Sequence, residues 1–233
     1  MLLIYACGTT YKTIIWYSLK IIYGSILNMN NRTVDVFLTE LASGAPTPGG
    51  GGASALCGGV AAALGSMVGN LTSGKKKYAE YQEEIEATIA KCGALVKEFE
   101  ALSKKDEEVF APLAKAYSIP KEQEGRDEIL EGVLKDASTA PYEVVVKANE
   151  TAKILERLAV IGSRLAISDV GVAAAACSTA AKGAAMNVYI NTKSMKNREY
   201  AEDLNRKTDA LVDETVVICD KVYAEVKTIL IGG

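Results

Sequence analysis

Apolar residues recur at three- and four-residue steps along most of this chain, and no segment keeps strand-period alternation for long. The pattern predicts an all-α protein. Thr33 can cap a short helix over Val34–Leu41, with Val34, Phe37, Leu38 and Leu41 on one face. Residues 53–71 run for 19 positions without a charge and are mostly Ala, Gly, Ser and Leu. Gly58, Ala62, Gly65 and Gly69 repeat at helical spacing there, which lets a neighbouring helix come close. From Lys75 to about Ala116, a stripe through Ile85, Ile89, Cys92, Leu95, Phe99 and Leu102 predicts one long helix or two in succession. Residues 118–125 read as a connection containing Pro120, with a short helix starting at Asp127. Pro141 fits the first turn of another helix that runs to about Ile161. Ser168 or Asp169 caps an alanine-rich helix over 170–190, and a final helix covers about 197–230. The architecture expected is a helical bundle in which two Ala/Gly-rich helices (53–71 and 170–186) pack centrally and long, more polar helices surround them.

Composition narrows the chemistry. The chain has 233 residues and a net charge of −3 with acids and bases interspersed, so no nucleic-acid footprint stands out. The 53–71 helix invites a membrane reading, but Ala and Gly add little hydrophobicity and Ser54, Ser66 and Asn70 lower it, so no membrane partner is expected. There is no histidine, which excludes His-based triads, His-ligated zinc sites and imidazole shuttles. Acid–base work falls to Asp, Glu, Lys, Cys or Tyr. The five cysteines are scattered without a C-x-x-C pair and read as reduced thiols of a cytoplasmic protein. Residues 1–28 hold two lysines, no acid and the only Trp, and Met29 reads as a natural start. They are expected to be an extension outside a single helical domain over 29–233, which finding Met1 or Leu2 at the native N-terminus would contradict.

Several residues carry candidate chemistry. In Pro46-Thr47-Pro48-Gly49-Gly50-Gly51-Gly52, two prolines fix φ and four glycines permit close approach to backbone, ahead of a helix whose N–H groups favour an anion. The alternative is a flexible linker. Asp106 continues the apolar register from Cys92, Phe99 and Leu102 toward Phe110 and Leu113. A carboxylate there is either paired, or raised in pKa, or relieved by a bend near Ser103. Lys75, Lys76 and Lys77 form either a solvated face or an anion site. Residues 69–76 nearly match a phosphate-binding loop but lack its closing Ser/Thr and its preceding strand. Asp169 reads by default as a helix cap, and Asn187 with Asn191 either reads a heterocycle edge or ties helices together.

In order, the runs P-T-P-G-G-G-G-A-S-A (46–55), N-L-T-S-G-K-K-K-Y (70–78), D-E-E-V-F (106–110), S-D-V-G-V-A-A (168–174) and N-V-Y-I-N-T-K-S (187–194) resemble the cyclodeaminase/cyclohydrolase family of tetrahydrofolate one-carbon enzymes. The resemblance spans about residues 33–230; the fourth glycine departs from the family's usual three. It implies an all-helical homodimer that needs no metal or redox cofactor and takes a tetrahydrofolate derivative as substrate. Two activities follow: hydrolysis of 5,10-methenyltetrahydrofolate to 10-formyltetrahydrofolate, or cyclisation of 5-formimidoyltetrahydrofolate with loss of ammonia; the remaining alternative is a helical folate-binding protein without turnover. By the same resemblance Asp106 is the expected acid–base or cation-stabilising group, and Lys75, Lys76 and Lys77 supply an ammonium or hold the glutamate tail. Gly49, Gly50, Gly51, Gly52 and Ser54 would wall the folate pocket, with Asp169 and Asn187 as further contacts.

Overall fold

The computed structural model describes residues 32–232. Their elements are helical: α1 (Val34–Leu41), α2 (Gly50–Thr72), α3 (Gln82–Glu108), α4 (Phe110–Tyr117), α5 (Arg126–Ile161), α6 (Ile167–Lys193) and α7 (Arg198–Ile231), with 3₁₀ turns at Lys76–Tyr81 and Arg164–Ala166. The chain divides into two compact units, Met1–Ala45 and Pro46–Gly233. In the first, α1 follows Thr33 as expected, but the Thr33 hydroxyl bonds Asp35 rather than a helix N–H, and Leu38 is half exposed. The expected extension over residues 1–28 lies outside the described residues.

In the second unit, α2 packs against α3 and α6, α7 packs on the far side of α6, and α5 lies across α2, α3, α6 and α7. The two small-residue helices therefore do adjoin, as the pattern predicts. Glycine spacing sets the register of α2 on α3. A Cβ on Gly58 would lie 2.4 Å from Phe99 Cε1, and one on Gly65 would lie 3.1 Å from Cys92 Sγ. These contacts step by seven residues along both helices in opposite directions, the period of a coiled-coil seam. One step further, Gly51 faces Asp106. The helices α2 and Arg164–Lys193 are long and apolar enough to cross a membrane, and half of each such window is buried inside the chain.

Three sequence expectations are corrected. The glycines at 50–52 are not loop: they form the first turn of α2, with Gly49 at its N-cap in extended backbone. Pro141 does not open a helix but lies inside the continuous α5. A proline there has no N–H for the carbonyl four residues back, that of Ala137, and the Asn191 Nδ2 of α6 donates to that carbonyl at 3.1 Å instead. Asp169 is no cap: α6 begins two residues earlier, after Ala166, and no side chain caps it.

Candidate active site

A cavity of about 210 Å³ opens at the N-terminus of α2. Consecutive residues turn by about 100° around a helix, so neighbouring glycines of its first turn face different helices. Gly50 faces α6, where an added Cβ would sit 3.4 Å from Asn187 Nδ2. Gly51 faces α3, where a Cβ would fall 2.3 Å from Asp106 Oδ1. The absence of two side chains thus seats an amide and a carboxylate against the start of one helix. Positive φ is not the reason for glycine here; among the described residues only Gly74 and Gly125 adopt it.

Asp106 stands in the last turn of α3, which runs on without a bend at the buried Ser103. Its carboxylate accepts the Gly52 backbone N–H. Burial pushes the carboxyl pKa above its ordinary value; the Gly52 N–H offsets this in part, and the charge of Glu107 adds to it. A carboxylate so held is a stronger base than one in water, and it faces a cavity into which a cation would be drawn.

Val109, Phe110 and Leu113, at the junction of α3 and α4, give the cavity an apolar wall. Pro46 and Thr47 cover one side. Asn187 donates to the Gly183 carbonyl at 3.0 Å within α6. Asn191 donates both to Ala137 and, at 2.9 Å, to the Asn187 carbonyl. Both amide hydrogens of Asn191 are thereby used, so it ties α6 to α5 and offers the cavity only an oxygen.

The predicted site residues fall into two groups. Gly49, Gly50, Gly51, Asp106 and Asn187 line the cavity together, with Gly52 bonded to Asp106. Ser54 does not join them: its hydroxyl donates to the Gly50 carbonyl at 2.7 Å and abuts Gly183 of α6. Lys75, Lys76 and Lys77 lie past the other end of α2, where Lys75 Nζ donates to Ser163 Oγ at 3.1 Å. Asp169 stands at that same end, in the first turn of α6. A helix of 23 residues separates the groups by about 34 Å. Among the cavity residues, Pro46, Thr47, the apolar wall of Val109, Phe110 and Leu113, and Ala137 and Ile190 were not predicted as site residues. Ala137 had a signal, being four residues before Pro141.

Residues 33–210 match the formiminotransferase-cyclodeaminase family. The chain belongs to that family. It is 36% identical over 202 residues to a methenyltetrahydrofolate cyclohydrolase of Methylorubrum extorquens, covering 85% of this chain and 97% of that protein. It is 29% identical over 182 residues to the mouse formimidoyltransferase-cyclodeaminase, covering 76% of this chain and 34% of that longer protein. The fold resembles the crystal structure of a formiminotetrahydrofolate cyclodeaminase from Thermotoga maritima, with a TM-score of 0.80, 28% identity and coverage of 87% of this chain and all of that one. Both activities implied by the sequence motifs are thus represented among the family members similar to this chain.

Proposed function

We propose that this chain hydrolyses 5,10-methenyltetrahydrofolate to 10-formyltetrahydrofolate in the cavity at the start of α2. The observation that carries the reading is the Asp106 carboxylate, raised in pKa by burial and set against Gly51 and the Gly52 N–H. The similarity to a cyclohydrolase along nearly its whole length supports that activity over cyclisation. The methenyl bridge carbon belongs to an amidinium cation, so a carboxylate beside it both attracts the substrate and serves as base. Water adds its oxygen to that carbon while Asp106 takes one water proton. The C–N5 bond of the tetrahedral adduct then breaks, N5 receives the proton held by Asp106, and the remaining hydroxyl proton leaves to solvent as the formyl C=O forms. Val109, Phe110 and Leu113 offer the flat heterocycle an apolar wall. The proton transfers call on no metal or redox group.

The Thermotoga and mouse relatives favour the second reading, cyclodeamination, in which the same carboxylate moves protons as N10 closes on the formimidoyl carbon and ammonia departs. Incubation with each substrate separates them. Hydrolysis removes the methenyl chromophore, whereas cyclodeamination creates it and releases ammonia. Turnover of neither substrate sinks both readings. A homodimer is part of the proposal, supported by apolar side chains exposed along α2 and α6.

A further inference from the structure

Pro141 stands where a helix tolerates it least. The helix α5 runs through it unbroken from Arg126 to Ile161, and Pro141 is buried. A proline inside a helix is costly, because its ring crowds the carbonyl four residues back and brings no N–H to it. Here that carbonyl belongs to Ala137, which lines the cavity that holds Asp106. A side chain of another helix donates to it instead: Asn191 Nδ2 of α6, at 3.1 Å. The same Nδ2 donates to the Asn187 carbonyl at 2.9 Å. A break in local helix rules at the wall of a cavity, answered by a residue of that cavity, marks a functional position.

The two bonds fix which way the Asn191 amide points. With both hydrogens on carbonyls, the amide cannot turn over without setting its oxygen against those same carbonyls. Its Oδ1 is therefore a fixed acceptor, and among the described residues no group donates to it. The other polar side chains of the cavity behave differently. Asn187 spends one amide hydrogen on the Gly183 carbonyl and keeps the second, and the Thr47 hydroxyl can donate or accept. The ionised Asp106 carboxylate only accepts, and the Gly52 N–H takes up part of its capacity. Two side chains that can only accept thus line one cavity, Asp106 from α3 and Asn191 from α6.

We infer that Asn191 positions the attacking water: its Oδ1 holds one water hydrogen while Asp106 takes the other as a proton. The inference rests on the hydrolysis proposed above and names a second group for its first step. A water with both hydrogens held by acceptors keeps its lone pairs free for an electrophilic carbon, and so enters the reaction already oriented. Asn191 is a positioning residue and takes no proton, because an amide oxygen is far too weak a base. The hydrogen that it holds stays on the water oxygen as the C–O bond forms, and becomes the hydroxyl of the tetrahedral adduct. Asp106 carries the other proton to N5 when the C–N5 bond breaks, and the hydroxyl proton leaves to solvent as the formyl C=O forms. Pro141 acts one step further out, by leaving Ala137 a carbonyl on which the amide is held.

The test separates the oxygen from the tie. Asn191→Ala removes both. Adding Pro141→Ala returns a backbone N–H to α5 that bonds the Ala137 carbonyl and replaces the tie, while the oxygen stays missing. Pro141→Ala alone is the reference. Loss of the methenyl absorbance gives kcat and KM for all three and for wild type, at a temperature well below every melting transition. Asn191→Ala is expected to melt below wild type, and the double variant to return to the melting temperature of Pro141→Ala. In both Asn191 variants kcat is expected to fall about tenfold against its own background, the worth of one hydrogen bond, with KM unchanged. Should Asn191→Ala alone not fold, the double variant against Pro141→Ala carries the same comparison. Recovery of kcat together with the melting temperature overturns the inference, since Asn191 then only ties α6 to α5. A raised KM with unchanged kcat also overturns it, because the oxygen then holds a hydrogen of the substrate and not of water. In either case hydrolysis by the wild type leaves the proposed function standing. A wild type that turns over formimidoyltetrahydrofolate alone overturns both.

Discussion

Replacing Gly51 by alanine puts a methyl group where the Asp106 carboxylate sits. The added Cβ would fall 2.3 Å from Oδ1 and 2.4 Å from Oδ2, whereas ordinary contact begins near 3.4 Å, so the carboxylate must retreat by about 1 Å. That movement strains its bond to the Gly52 N–H and carries the base off the reacting carbon. A displacement of that size costs roughly 100-fold in rate. The effect on folding is smaller, because overpacking costs about 1–3 kcal/mol and alanine returns up to about 1 kcal/mol of helix propensity. The neighbours act as controls. A Cβ on Gly50 would lie 3.4 Å from Asn187 Nδ2, and one on Gly49 would meet nothing within 4 Å. Steady-state kinetics on methenyltetrahydrofolate, with thermal melts, should rank kcat/KM as wild type ≈ Gly49→Ala > Gly50→Ala > Gly51→Ala. A Gly51→Ala enzyme within about threefold of wild type, far short of the displacement estimate, would refute the dependence on Asp106 placement.

Other expectations concern charge and packing. Because folding raises the Asp106 pKa, its stabilising contribution is full below the unfolded value, near pH 4, and is lost as pH rises through the folded value. Asp106→Asn should therefore melt above wild type at pH 7, with the gap closing in acid; a lower Tm at pH 7 contradicts the burial argument. The acid limb of wild-type kcat/KM should correspondingly lie above the ordinary carboxylate range. Asn191→Leu removes the partner of the Ala137 carbonyl and should cost about 1–3 kcal/mol in urea unfolding; an unchanged midpoint removes the tie. Gly183→Ala would bring a Cβ within 2.5 Å of Ser54 Oγ. It should destabilise by about 1–3 kcal/mol and be largely rescued by Ser54→Ala; additive losses contradict the contact.

The helical stripe from Cys92 through Phe99 was enough to put Asp106 in register with the core, and the small residues of 53–71 announced a close helix contact. Both are local periodicities, which sequence reports directly. The seven-residue match of Gly51, Gly58 and Gly65 to Asp106, Phe99 and Cys92 needs a partner helix to be known before it has meaning. Pro141 misled because its vacant Ala137 carbonyl is satisfied by Asn191, 54 residues away. Ser54 misled for a related reason: it shares with Gly50 the side of α2 that faces α6, but stands one turn further in, against Gly183 instead of the cavity. The lysines carry the right chemistry, but helix length places them at the far end of the same chain.

The central claim is that Asp106 performs the proton transfer at the methenyl carbon. The direct measurement is loss of the methenyl absorbance with wild-type and Asp106→Asn enzymes at saturating substrate, alongside circular dichroism of both. A fall in kcat on the order of 100-fold or more with the fold intact is expected. Equal kcat values in two well-folded enzymes would contradict the claim.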